Sequence, residues 1–311
     1  MRIALDMMGG DYAPKESCLG VLSFLSKYSD CELILLGDKD LIKSGLPENT
    51  NHVQIIATEN EIGMHEHPVK ALKEKPNSAM VIGFGLLAKG EVDAFLSAGN
   101  TGVMLVGASH MVKLLDGVLR PSMPTPVPQV NGNFSIMLDI GINADCKPEY
   151  LNQFATMGTF YAREIYDIQQ PSVALLNIGE EEGKGNMLAQ ATYPLLKENK
   201  DIHFIGNVEG RDILDNKADI MITDGFTGNI LLKFAESLYD VVKVKCNIEN
   251  DFLARFNHRL YAGVPVLGAS KPVVVGHGVS DATSFCGMLE LARKMVMTDM
   301  CGKMKNLFVE A

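Results

Sequence analysis

Short apolar runs alternate with helix-spaced segments along nearly the whole chain, and this alternation restricts the fold to one class. Residues 3–5, 32–36, 53–57, 94–97, 134–138, 173–177, 203–206, 219–223 and 273–276 read as strands. Helical spacing fills most intervals between them, as over residues 151–165 and 186–197. Such an order predicts an α/β fold with a mainly parallel sheet covered by helices. In sheets of this kind ligands bind beyond the carboxyl ends of the strands. The polar, glycine-rich segments of this chain fall there. With 311 residues, 47% of them hydrophobic, the chain can build one large domain or two smaller ones; it is read as a single catalytic domain over 1–311.

Two stretches depart from the alternation. Residues 120–128 carry four prolines, Pro121, Pro124, Pro126 and Pro128, and read as an extended connection, because each proline removes a donor and restricts its predecessor. Residues 231–261 form the longest helical pattern, with Phe234, Leu238, Val241, Val242, Ile248, Phe252, Phe256 and Leu260 at helix spacing. Their charges nearly cancel. This segment, about 231–262, is expected to pack on the core or a second subunit, or to touch a membrane surface.

Composition excludes several classes. A net charge of −10 argues against nucleic-acid binding, and an acidic protein partner would need a local basic patch. The longest stretch without formal charge, residues 94–112, is interrupted by Ser97, Gly99, Asn100, Thr101 and Gly102 and makes a poor membrane span. No secretory leader precedes the first strand, so a cytoplasmic protein is expected. The six cysteines form no Cys-x-x-Cys pair and suggest neither a zinc site nor disulfides.

Six motifs carry candidate chemistry. Asp6-Met7-Met8-Gly9-Gly10-Asp11 follows the first strand and builds a tight turn. Ser97-Ala98-Gly99-Asn100-Thr101-Gly102 lies between a strand and an apolar helix; it reads as an anion cradle on a helix N-terminus or as a plain helix cap. In Asp139–Pro148, Asn143, Asp145 and Lys147 are candidates to face a site, or simply turn and cap residues. Asn177–Asn186 gathers Glu180, Glu181 and Glu182 between Gly179 and Gly183; like charges repel, and Lys184 is positioned to offset them. In Asp224-Gly225-Phe226-Thr227-Gly228-Asn229, the turn opens a helix on which Asn229 and Lys233 share a face. His277-Gly278-Val279-Ser280-Asp281 precedes the last long helix; His277 is a candidate base, and Ser280 or Asp281 a cap.

Taken in order, ALDMMGGDYAP, SAGNTG, ADCKPE, NIGEEEGKGN, FIGNVEGRDIL, DGFTGN and HGVSDA resemble the successive signatures of the bacterial phosphate:acyl-[acyl carrier protein] acyltransferase family, and they cover nearly the whole chain. The chain departs from the family pattern at Arg120-Pro121-Ser122 and in a less basic 231–261 segment. The resemblance implies a three-layer α/β/α fold like those of isocitrate and isopropylmalate dehydrogenases and of phosphotransacetylase. It also implies a homodimer in loose membrane association that makes acyl phosphate for phospholipid synthesis and hands it to a membrane glycerol-3-phosphate acyltransferase.

The related dehydrogenases carry two metal-binding aspartates where this chain has Asn229 and Lys233, so Lys233 is expected to supply the positive charge and no metal or cofactor is expected. Inorganic phosphate is itself the nucleophile and needs no covalent enzyme intermediate. The expected site has main-chain amides at Gly99–Gly102 and Gly225–Asn229 with Lys184 or Lys233 on the phosphate, and His277 or Asp224 positioning or deprotonating it. Asp6, Gly9, Gly10, Asp11, Ser97, Asn143, Asp145, Gly179, Glu180, Asn186, Thr227, Gly228 and Ser280 complete the expected substrate site. Two readings compete: a metal- and NAD-dependent decarboxylating dehydrogenase of the same fold, and a non-catalytic scaffold that binds acyl carrier protein.

Overall fold

The computed structural model describes residues 1–257 and 263–309. They hold eleven strands: β1 (Arg2–Asp6), β2 (Glu32–Gly37), β3 (Val53–Ala57), β4 (Ala94–Ser97), β5 (Thr125–Pro128), β6 (Phe134–Leu138), β7 (Ser172–Asn177), β8 (His203–Glu209), β9 (Ile220–Ile222), β10 (Val264–Pro265) and β11 (Val273–Val275). Where the sequence suggests one domain, the contacts gather into two compact units, Met1–Gly117 with Arg259–Ala311, and Val118–His258. The second unit is an insertion in the chain of the first, and an insertion with the same α/β chemistry as its host leaves no compositional boundary.

The first unit holds a six-stranded sheet in the order β10-β11-β4-β1-β2-β3, parallel except for β10 against β11. Its central strands read as continuous apolar runs because both faces are covered; Ile3, Ala4, Leu5 and Leu33 through Leu36 are buried. The helix Ala79–Lys89 packs on β4, with Phe84 edge-on to Phe95 at 4.9 Å. The helices Lys15–Lys27 and Ala282–Met297 pack together at Gly20, where an added Cβ would lie 2.5 Å from that of Phe285.

A five-stranded sheet in the order β5-β6-β9-β7-β8 forms the second unit, parallel except for β5 against β6. The helix Pro148–Tyr166 covers β6 and β9, Gly158 letting Leu138 and Ile220 come close. The proline-rich connection is a strand over part of its length. β5 pairs Pro126 with Ile136 and Pro128 with Phe134, and it stands at the sheet edge, where alternate residues need no ladder donor and proline is tolerated.

The long helical segment is also different from its expectation. The helix Gly225–Asp240 begins earlier than predicted, continues as a wider turn over Val241–Lys245, and stops at Cys246. Asn247 takes a left-handed φ of 51°, and Asn250 starts a new short helix, Asp251–Ala254, by accepting from the N–H groups of Phe252 and Leu253. Asparagine favours both tasks, so a periodic apolar pattern crosses a real break. The end of this segment, residues 258–262, lies outside the described residues. No described helix is long and apolar enough to cross a membrane.

Candidate active site

Loops at the carboxyl ends of the parallel strands gather the predicted residues into clusters, each within its own unit. In the first unit, the loops after β1 and β4 are joined through Asp6. Its Oδ1 accepts from the N–H groups of Met8 and Gly9, and its Oδ2 accepts from Ser97 Oγ at 2.7 Å. Ser97 Oγ in turn accepts from Gly99 N–H at 2.9 Å. Gly9 fits only because it has no side chain: an added Cβ would lie 2.7–2.8 Å from Gly99 N, Asp6 Oδ2 and Ser97 Oγ. Gly10 has a φ of 103°, where glycine is at ease. The next residue, Asp11, donates its N–H to the carbonyl of Gly278, bringing the loop after β11 alongside. Burial pushes the Asp6 carboxyl above its ordinary value against these three donors, and Glu61 adds to the rise.

Asn100 stands as a structural anchor. Its Oδ1 caps the helix Thr101–Gly107 by accepting from Val103 N–H, and its Nδ2 donates to the carbonyls of Gly63, Met64 and Glu66. Thr101 and Gly102 supply the first-turn N–H groups of that helix. Asn100→Ala is expected to cost about 2 kcal/mol, one cap plus a freed loop, read as a lower midpoint in urea denaturation. His277 is exposed and accepts from Val279 N–H at Nδ1. Ser280 is buried beside it, and Asp281, not Ser280, caps the last long helix.

The second unit repeats the device. Asp139, fully buried at the end of β6, accepts from Met123 N–H at Oδ1 and from Asn143 N–H and Nδ2 at Oδ2. Asn143 also donates to Pro121 O, and its own carbonyl accepts from Gly225 N–H. Asp224 caps the helix Gly225–Asp240, accepting from Thr227 N–H and Oγ1. Asn229 Nδ2 donates to Ile140 O, and Gly228 presses on the carbonyl of Asp139. Asp145 is exposed. Cys146 donates to Asn143 O, and burial pushes its thiol up to about 12, so it is no nucleophile at neutral pH.

The acidic loop after β7 resolves its own repulsion. Glu180 meets Lys217 at 3.0 Å, Glu181 meets Lys184 at 3.9 Å and Glu182 meets Lys197 at 3.0 Å. All are exposed pairs of small energy. Gly179 allows Lys184 to fold over it, Asn186 caps the helix Met187–Glu198, and Asn207 ties the loop down through the carbonyl of Glu181. Lys233 pairs with Glu236 at 2.8 Å and is half exposed.

One expectation changes on this geometry. The N–H groups of Gly9, Gly99, Gly225 and Thr227 are already engaged by Asp6, Ser97, Asn143 and Asp224. Those amides build the loops, so they are not a ready-made anion cradle. Sequence reading also passed over the loop after β3. Residues 60–64 form one wall of a cleft of about 190 Å³ that Asp6, Gly9, Gly10 and Asp11 line on the other side. The strand-end rule pointed to this loop, but it has no glycine motif to draw attention. Asp139 was missed as well, although its motif was noted.

The family model described as "Fatty acid synthesis protein" matches residues 1–303. A phosphate acyltransferase of Dictyoglomus turgidum is 41% identical, over 95% of this chain and 94% of the relative. Another from Listeria innocua is 39% identical, over 95% and 93%. The crystal structure of a phosphotransacetylase from Streptococcus pyogenes superposes with a TM-score of 0.66 at 19% identity, covering 96% of this chain and 94% of that one. That likeness shows a shared fold.

Proposed function

This chain belongs to the fatty acid synthesis protein family, with phosphate acyltransferases as its relatives, and on that premise we propose that it forms acyl phosphate reversibly from acyl-[acyl carrier protein] and inorganic phosphate. The observation that carries the proposal is the match of family and relatives along nearly the full chain. A phosphate oxygen attacks the thioester carbonyl, the carbon–sulfur bond breaks, and the thiolate leaves with a proton. The chain contributes positioning and charge, in line with loops stitched by buried carboxylates at strand ends.

Lys184 and Lys233 are the proposed phosphate cations, each half exposed beside one carboxylate that phosphate can displace. Thr101 and Gly102 offer first-turn amides. His277 and Asp224 remain the proposed positioning groups, with Asp224 acting through its cap on the helix Gly225–Asp240.

We place the protein in the cytoplasm, with peripheral membrane contact where its product passes to a membrane glycerol-3-phosphate acyltransferase in phospholipid synthesis. A homodimer is proposed through the helix Gly225–Asp240 and its continuation. Phe226, Ile230, Phe234, Leu238 and Val241 recur at three- and four-residue spacing and are all exposed, Phe226 at 62% and Phe234 at 59%. So wide an apolar stripe calls for a partner surface.

The test is thiol release from acyl-[acyl carrier protein], with and without phosphate. Free thiol is expected only when phosphate is present, together with a hydroxylamine-reactive acyl phosphate. Release independent of phosphate, or none with any acyl length, overturns the proposal.

A further inference from the structure

We infer that the cleft between residues 6–11 and 60–64 receives the neutral, amide-bearing thiol arm of the acyl donor and excludes phosphate. This rests on the proposed reaction and assigns one of its substrates to a place. The cleft lies wholly in the first unit, at the carboxyl ends of β1 and β3.

Its charge is the first argument. The ionisable side chains on its walls are Asp6, Asp11 and Glu61, and no basic side chain lines it among the described residues. Glu61 is near enough to Asp6 to raise its carboxyl further. A phosphate dianion brought here meets like charge without compensation. A chain bearing amide N–H groups meets acceptors instead.

Donors tell the same story. Five of the lining N–H groups are already spent: those of Met8 and Gly9 on Asp6, that of Gly99 on Ser97, that of Asp11 on Gly278, and that of Gly63 on Glu66. The carboxylates of Asp11 and Glu61 add acceptors, and the amide of Asn60 adds both an acceptor and a donor.

The rest of the lining is apolar and soft. Met8, Ile62, Met64 and Met80 face the cleft, and methionine adapts to flexible chains and to other sulfur. Its size fits a slender segment. About 190 Å³ is less than the roughly 300–1,000 Å³ of sites that enclose a whole drug-sized ligand. A thiol terminus with one or two amides is of that scale.

The chain contains no tryptophan, so Met64→Trp places a lone tryptophan, excited apart from the tyrosines, in the wall at a side chain already 41% exposed. Pantetheine, which carries the thiol and amides without any phosphate, is expected to shift its emission saturably. Inorganic phosphate at the same concentrations is expected to leave it unchanged. Adding Glu61→Lys should weaken pantetheine about fivefold, the scale of one lost hydrogen bond.

In the unaltered protein, pantetheine should slow peroxide oxidation of Met64 relative to that of the exposed Met187, a ratio that cancels peroxide consumed by the thiol, read by mass spectrometry; phosphate should leave the ratio unchanged. This keeps the test available if the variant folds poorly. The inference falls if phosphate shifts the emission and pantetheine does not, or if pantetheine fails to protect Met64. None of these readings needs turnover, so a lack of phosphate-dependent thiol release would count against the reaction alone.

Discussion

Asp139→Ala lowers the stability of the second unit by about 3–5 kcal/mol, a large share of the 5–15 kcal/mol that holds a domain together. The carboxylate is fully buried and gathers three N–H donors, from Met123 and from the main chain and side chain of Asn143. Alanine leaves the main-chain N–H groups of Met123 and Asn143 without this partner and Asn143 Nδ2 with Pro121 O alone, and a buried unmet donor costs about 1–3 kcal/mol. The loss propagates, because Asn143 also holds Pro121 and Gly225. Urea denaturation checks the magnitude; a loss below about 1 kcal/mol would mean that water replaces the carboxylate.

Asp139→Asn separates hydrogen bonding from charge. Its cost should be smaller, about 1–3 kcal/mol, since one oxygen still accepts while the new NH₂ faces a donor. Burial raises the Asp139 carboxyl above its ordinary 3.8, against the donors from Asn143 and Met123. The folded state therefore keeps a proton that the unfolded chain has released. Stability from this group is full below pH 3.8 and falls as pH climbs through the raised value. The asparagine variant lacks that fall, so its deficit against the wild type should narrow as pH rises across this window. A deficit that widens instead would show that the donors outweigh burial and favour the ionised form.

Gly228→Ala is the second large effect, about 3 kcal/mol or more. The new Cβ would fall on the main-chain carbonyl oxygen of Asp139, and a carbonyl fixed in a strand end has nowhere to turn. The start of the helix Gly225–Asp240 must move, opening the Gly225–Asn143 and Asn229–Ile140 hydrogen bonds. Gly85 supplies the control. It lies inside the helix Ala79–Lys89 with nothing within 4 Å of an added Cβ, so Gly85→Ala should be neutral or stabilising by up to about 1 kcal/mol. Thermal unfolding of the two variants reads the contrast; equal midpoints would show that the helix start yields at little cost.

Much of the architecture was legible because its signals are local. A strand buried on both faces must be a continuous apolar run, and β1, β2 and β4 lie where such runs are. Caps were legible for the same reason: Asn100 and Asp281 bond to N–H groups three residues on. The edge strand Thr125–Pro128 was not, since alternate prolines forbid a central strand and only position at an edge permits this one. Nor was the stop at Cys246, where asparagine turns override an unbroken apolar period.

Motif residues could be found from the chain, but what each one bonds to could not. Asp6 and Ser97 are 91 positions apart, and Arg120's neighbour Pro121 meets Asn143 across 22. Residue type alone announces a polar group near a strand end. Whether its amides await a ligand or already hold another loop depends on long-range pairing, which only the folded chain decides. The order of strands and the glycines at their ends belong to the sequence. The engagement of those loop amides by Asp6, Ser97, Asn143 and Asp224, and the acid-lined cleft beside them, belong to the tertiary structure, because a hydrogen bond needs its two atoms within about 3 Å and the chain brings them there only by folding.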